Sequence, residues 1–374
     1  MEILTVKKTL IVYGTRPEAI KMAPVVKALR QRPDCFGVVV CATAQHRQMM
    51  DQVHEVFGLE ADIDLDLMRP DQTLNALSSR CLGALDEVLI DLTPDWVLVQ
   101  GDTTTAMAAA LAAFHRGIRV GHVEAGLRTG DLQHPFPEEA NRRIIDVFAD
   151  ALFAPTSGSA DVLRGEGAAA ERIHVTGNTG IDALLQVAEL EPDRKVEDEV
   201  LITVHRRESF GEPILEIFQA IRELAERFPS YRWVYPVHRN PNVRRAADEV
   251  LRGLANLDLH EPFDYLELVR HLRSARLILT DSGGIQEEAP TFGKPVLVLR
   301  RTTERPEGVE AGVARLVGSD RAAIVAEASR LLTDESAYRS MAAVANPYGD
   351  GKAAERIAHI LSGEPYEPFC HEAQ

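Results

Sequence analysis

Short runs of consecutive apolar residues alternate along this chain with stretches whose apolar positions recur every three or four residues. Leu10–Tyr13, Gly37–Ala42, Trp96–Gln100, Val120–Val123 and Leu152–Ala154 are apolar on successive positions. Strands covered on both faces have that signature, as in a parallel sheet. Between them Ile20, Ala23 and Val26, then Leu74, Leu77, Cys81, Leu85 and Val88, have helical spacing. A second series opens near Glu199. Its expected strands are Val200–Val204, Trp233–Pro236, Leu277–Thr280 and Val296–Leu299. Helices are expected over Pro213–Arg227, Val243–Leu254, Tyr265–Leu272, Ile285–Thr291, Arg321–Leu332 and Glu355–Leu361. A repeating βα unit means the α/β class, with two Rossmann-like, doubly wound parallel sheets facing a cleft. The charged, proline-containing segment LEPDRKVEDE reads as a linker between them. The expected domains are 1–185, 186–355 and a tail, 356–374, packing back on the first domain.

Composition narrows the function. Of 374 residues 45% are hydrophobic and 26% charged, ordinary for a globular protein. Lys and Arg number 41 against 57 Asp and Glu, a net charge of −16. That balance argues against a nucleic-acid partner, but not against a small anion held by a few local cations. No apolar run reaches the roughly 18 residues of a membrane span, and the N-terminus lacks a signal-peptide pattern. The four cysteines show no Cys-x-x-Cys spacing, so neither zinc nor a disulfide framework is expected, and the expected compartment is a reducing cytoplasm. Dinucleotide, P-loop, nucleophile-elbow and zinc-protease motifs are missing, so no cofactor and no metal are expected.

Ligands of doubly wound sheets bind beyond the carboxyl ends of the strands, and the unusual residues of this chain fall there. After the first strand come Gly14, suited to a sharp turn, Thr15, suited to a cap, and then Arg16 and Lys21 near a helix N-terminus, suited to an anion. Asp102 follows the strand Trp96–Gln100, as a helix cap or as an acid. Glu124 ends a buried strand, where a carboxylate needs a partner, and Arg128 is the candidate. Glu138 and Glu139 open a helix, with Arg142 and Arg143 at i,i+4 spacing. In the second series, His205 and Arg206 end one strand, and His238 follows another. Ser282, Gly283 and Gly284 offer a phosphate cradle without a P-loop lysine, with Glu287 or Glu288 placed for ribose hydroxyls. Arg300, Arg301 and Arg305 add positive charge. Several carboxylates with a histidine, beside a nucleotide site, suit removal and return of a proton at carbon.

Seven motifs stand in order over nearly the whole chain: GTRPEAIKMAP, VQGDTTT, HVEAGLRTGD, PFPEEANRR, VHRRE, LTDSGGIQEEAP and TTERPE. Together they resemble the non-hydrolysing UDP-N-acetylglucosamine 2-epimerases. The resemblance implies the GT-B fold and interconversion of UDP-GlcNAc and UDP-ManNAc without a cofactor, for surface polysaccharide synthesis. It implies elimination of UDP to 2-acetamidoglucal, then re-addition after reprotonation of C2 from the other face. Asp102, Glu124 and Glu138 match the family's catalytic acids and His205 its histidine. Arg16, Lys21, Ser282, Gly283, Gly284, Glu288 and Arg305 match its nucleotide-binding positions. A homodimer is implied too. So is an allosteric UDP-GlcNAc held by Gln45, Gln48, Arg206 and His238, although Asp71 stands where some members carry Arg. Two neighbouring activities share much of this machinery: a 2-epimerase of a UDP-2,3-diacetamido uronic acid, and a GT-B glycosyltransferase. Glu124 and Glu138 beside Asp102 weigh against the transferase.

Overall fold

The computed structural model describes residues 6–43, 53, 55–69, 71–190, 196–206 and 209–371. The chain forms two units. One takes in residues up to Leu185 together with Gly349–Cys370, and the other takes in Gln186–Tyr348 with His371.

The first unit holds strands β1 (Lys7–Tyr13), β2 (Phe36–Ala42), β3 (Ile63–Asp64), β4 (Trp96–Gln100), β5 (Arg119–Val123), β6 (Ala151–Ala154) and β7 (Ile173–Val175). They pair in parallel in the order β3-β2-β1-β4-β5-β6-β7. The second unit holds β8 (Glu199–Thr203), β9 (Arg232–Pro236), β10 (Leu257–His260), β11 (Leu277–Thr280), β12 (Val296–Val298) and β13 (Ala314–Leu316), parallel in the order β10-β9-β8-β11-β12-β13. Both sheets are doubly wound. Their strand order reverses between β1 and β4 and between β8 and β11, and the crevice beyond those strand ends is where such sheets bind ligands.

The central strands are those the apolar runs predict. Leu10, Ile11, Val12 and Tyr13 are all buried, as a strand covered on both faces requires. The sheet-edge strands β3, β7, β10 and β13 are not legible from apolar runs. They are short and carry Asp64, His174, Asp258 and Arg315, which break any continuous run. Helix Leu74–Leu92 buries Leu77, Cys81, Leu85 and Leu89, and Thr73 caps it. Helix Thr104–His115 is nearly all alanine on its buried positions, so helices pack closely against it. In the second unit helix Glu212–Arg227 lays Ile214, Ile217, Phe218, Ile221 and Leu224 on a core that includes Trp233 and Tyr235.

Three C-terminal boundaries fall short of expectation by three residues or more. The helix expected over Ile285–Thr291 ends at Glu288 and tightens into a 3₁₀ turn, Ala289–Phe292, where Pro290 has no amide to donate. The helix expected to reach Leu254 stops at Leu251, ahead of Gly253 at φ +90°. The second domain was expected to run to 355, but the chain rejoins the first unit at Gly349. Asp182, on helix Thr179–Glu189, draws it back by accepting from the amides of Ala353 (3.2 Å) and Ala354 (2.8 Å) at the start of helix Ala353–Ser362. Beyond that helix the amide of Phe369 donates to the carbonyl of Val175 at the sheet edge.

Candidate active site

In the first unit the turn after β1 is built for close approach. A Cβ on Gly14 would lie 2.7 Å from the hydroxyls of both Thr43 and Thr105. Thr15 caps helix Arg16–Arg30, and Glu18 completes a capping box by accepting from the amides of Gly14 (3.0 Å) and Thr15 (2.6 Å). Thr103 also donates to Glu18 (2.6 Å). Burial raises the Glu18 carboxyl despite those donors. Arg16 and Lys21 project from the first turns of this helix, both partly buried.

Glu124 follows β5 at φ +71°, a left-handed conformation that costs a side-chain-bearing residue on the order of 1–3 kcal/mol. Its carboxylate pairs with Lys21 and accepts from the Gln100 amide. Arg128, expected as its partner, instead pairs with Asp146 (2.6 Å) and Glu166 (2.7 Å). Asp102 is not the cap of the helix that follows β4: Thr103 is, accepting from Ala106 (3.0 Å). Asp102 accepts from Arg142 at 2.5 Å instead, and its carbonyl accepts from Asn141 at 2.9 Å. Arg142 is thereby drawn away from Glu138, its expected i,i+4 partner. The companion pair forms, with Arg143 donating to Glu139 at 3.1 Å.

These contacts separate the two neighbouring glutamates. Glu139 is fully buried and accepts from the amides of Thr129 (3.0 Å) and Gly130 (3.3 Å). Burial opposes its charge, but those amides and Arg142 win and hold its pKa below the usual range. It is structural. Glu138 presents a buried oxygen, Oε2, with no hydrogen-bond partner among the described residues. Such an atom is costly unless something else comes to use it.

In the second unit, His205 and Arg206 follow β8 and Ser282 follows β11, either side of the strand-order reversal. Asp281, absent from the sequence reading, organises this turn. It is fully buried and accepts from the amides of His205 (3.0 Å) and Arg206 (2.9 Å), with the His205 Nδ1 at 3.2 Å. The ring of His238 stacks on that of His205 at 5.5 Å. His238 Nδ1 accepts from the Asn240 amide (3.1 Å). Burial first, and His205 second, lower its pKa. Arg206 and His238, two of the four expected allosteric residues, thus adjoin His205, whereas Gln45 and Gln48 lie outside the described residues. Asp71, at φ +52°, follows another such position.

The Ser282 side chain does not cap helix Gly283–Glu288, which it precedes. The guanidinium of Arg305 lies over Gly283, 3.1 Å from where a Cβ would sit, and a Cβ on Gly284 would meet nothing within 4 Å. Arg305 donates to Glu287 at 2.8 Å, and Glu287 is buried. Glu288 accepts from the Tyr265 hydroxyl at 3.4 Å and is partly exposed. Of this second ambiguous pair, Glu287 anchors an arginine, whereas Glu288 meets a tyrosine hydroxyl and is less buried. Arg300 pairs with Glu304 at 2.7 Å. Burial opposes the Glu304 charge, but Arg300 and Arg305 hold its pKa down to about 2. No cluster of candidate metal ligands occurs among the described residues.

A family model described as UDP-N-acetylglucosamine 2-epimerase matches residues 27–362. The Escherichia coli K12 protein named UDP-N-acetylglucosamine 2-epimerase is 50% identical over 372 residues, covering 95% of this chain and 98% of its own. The crystal structure of UDP-GlcNAc 2-epimerase from Neisseria meningitidis, bound to UDP-GlcNAc, matches with a TM-score of 0.88 at 46% identity, over 96% of this chain and 100% of that one. MurG of Acinetobacter baumannii, at 14% identity and a TM-score of 0.58 over 96% of this chain and 100% of its own, shares the GT-B-like fold alone.

Proposed function

The chain belongs to the UDP-N-acetylglucosamine 2-epimerase family and is an epimerase, and from that premise we propose that it inverts C2 of UDP-N-acetylglucosamine to give UDP-N-acetylmannosamine, reversibly. The observation that carries this reading is the acid set of the first unit. Asp102, Glu124 and Glu138 stand at the ends of β4 and β5 and on the helix that follows; Arg142, from that helix, holds Asp102, and Gln100 and Lys21 hold Glu124. The unused oxygen of Glu138 leaves one acid with a site to offer.

The C2 proton of the substrate is not acidic, so its removal must be coupled to loss of a good leaving group. UDP is that group, and its departure from C1 leaves 2-acetamidoglucal. The negative charge that builds on the diphosphate falls to Arg16, Lys21, His205 and Arg305, with Ser282 and the amides of Gly283 and Gly284 as donors. Glu288 takes the ribose. Return of a proton to the opposite face of C2, with UDP re-adding, completes inversion. One base cannot serve both faces, and Glu124 and Glu138 lie on different elements, so each serves one. Asp102, fixed by Arg142, supports them.

A second UDP-GlcNAc site, for an activator, is proposed at Arg206 and His238 beside His205; Gln45 and Gln48, expected to share it, lie outside the described residues. The protein acts as a homodimer. Ile144 and Val147 on helix Glu138–Phe148, and Phe114, whose ring stacks on Phe148, form an exposed apolar face for a second copy. No helix among the described residues is long and apolar enough to cross a membrane. The four cysteines are free thiols, which suits a cytoplasmic protein. Incubation of UDP-GlcNAc with the protein and no acceptor tests the reaction: UDP-ManNAc should form and the same mixture should arise from UDP-ManNAc. Sugar nucleotide that stays unchanged, or breaks down to free sugar and UDP, would contradict it.

A further inference from the structure

We infer that His122 is a positioning residue for this chemistry, one that holds the Asp102 turn against the helix bearing Glu138. The inference rests on the proposed epimerase reaction. His122 lies on β5, two residues before Glu124, and its side chain is wholly buried. Its Nε2 is 2.7 Å from the carbonyl of Gly101, the residue before Asp102, and its Nδ1 is 2.6 Å from Asp146 Oδ1. Asp146 sits on helix Glu138–Phe148. One ring therefore joins the three elements that carry the three acids.

Both neighbours of the ring are acceptors. A carbonyl can only accept, so Nε2 donates to Gly101. Asp146 is itself fixed: Arg128 donates to its other oxygen at 2.6 Å and is held in turn by Glu166. Burial opposes the charge on Asp146, but His122 and Arg128 keep its pKa below the usual range. Polar groups this deep are an expensive way to fill space, and well-packed apolar side chains would serve stability as well or better. What the network adds is geometry, because a satisfied buried chain of hydrogen bonds has one arrangement. No side chain that donates at only one point can replace it. A carboxamide can reach Gly101 or Asp146, not both.

The consequence falls on turnover, not on nucleotide binding, since a small misplacement of a reacting group can lower the rate by about a hundredfold. His122→Gln should lower kcat by about ten- to a hundredfold while KM and UDP affinity stay within about twofold. It should act through Asp102: in an Asp102→Asn background the same substitution should change kcat by less than about threefold, as non-additivity of coupled groups requires. The measurements are steady-state kinetics of the four proteins of that cycle, with rates normalised to UDP-binding sites by calorimetry. A His122→Gln enzyme with wild-type kcat, a loss confined to KM, or losses that multiply in the cycle would each overturn the inference. If His122→Gln yields no folded protein, Asp146→Asn carries the test, because it weakens the hold on Nδ1 and leaves the Gly101 contact. It should lower kcat with KM intact, and unchanged kcat would overturn the inference. If the wild-type protein fails to epimerise UDP-GlcNAc, the proposed reaction fails, a result distinct from all of these.

Discussion

Arg305 shows how one residue can serve both the fold and the substrate. Its guanidinium lies over Gly283 and is held by Glu287, so it is set in place before any phosphate arrives. A charge-assisted contact to phosphate contributes about 1.5–3 kcal/mol. Arg305→Ala should therefore weaken UDP binding by about ten- to a hundredfold in calorimetry, and unchanged affinity would remove Arg305 from the nucleotide site. Glu124→Gln and Glu138→Gln keep shape and lose the proton-carrying group. Each should slow turnover by about 10²–10⁴-fold. Given each sugar nucleotide separately in heavy water, one variant should lose exchange from UDP-GlcNAc and the other from UDP-ManNAc. Equal defects in both directions would mean that the two carboxylates act as one unit. At this scale the sequence names the candidate residues of the proposed site, because their types are unusual at strand ends. It does not name their partners. Lys21 and Glu124 are 103 residues apart, and Arg142 faces Asp102 over 40. Local spacing instead suggests Arg128 for Glu124 and Glu138 for Arg142, and tertiary approach overrides both. His122 goes unread because it sits within a strand, and Asp281, just beyond β11, because the partners that give it a role, the amides of His205 and Arg206, are 76 and 75 residues away.

Among the elements, the returning helix Ala353–Ser362 has a titratable anchor. Burial pushes the Asp182 carboxyl up to about 7, against the amides of Ala353 and Ala354 that favour its charge. A carboxyl whose folded pKa is raised binds its proton more tightly in the native state than in the unfolded one. Stability from this group is thus greatest below about pH 4 and is lost as pH climbs to about 7. The loss is on the order of 4 kcal/mol for three pKa units. Asp182→Asn keeps an acceptor and removes the titration. Urea unfolding of the two proteins from pH 4 to 8 should show the variant gaining on the wild type as pH rises, whereas a constant difference would refute the assignment. The central strands of both sheets were legible because burial on both faces demands unbroken apolar runs. The edges were not, since β10 alternates Leu257, Asp258, Leu259 and His260, and β3 has two residues. The anchoring role of Asp182 was equally hidden, because its partners lie 171 and 172 residues away.

For the whole molecule, the proposed chemistry divides between the two units, with the acids on the first and His205, Ser282, Glu288 and Arg305 on the second. Helix Glu138–Phe148 would link the proposed chemistry to the proposed homodimer, since it carries Glu138 at its start and the exposed apolar residues Ile144 and Val147 farther along. The proposed inversion requires the C2 hydrogen to leave and return as a proton. Proton NMR of UDP-GlcNAc with the protein in heavy water tests that directly. UDP-ManNAc should appear with deuterium at C2. UDP-ManNAc that keeps its original hydrogen at C2 would contradict it.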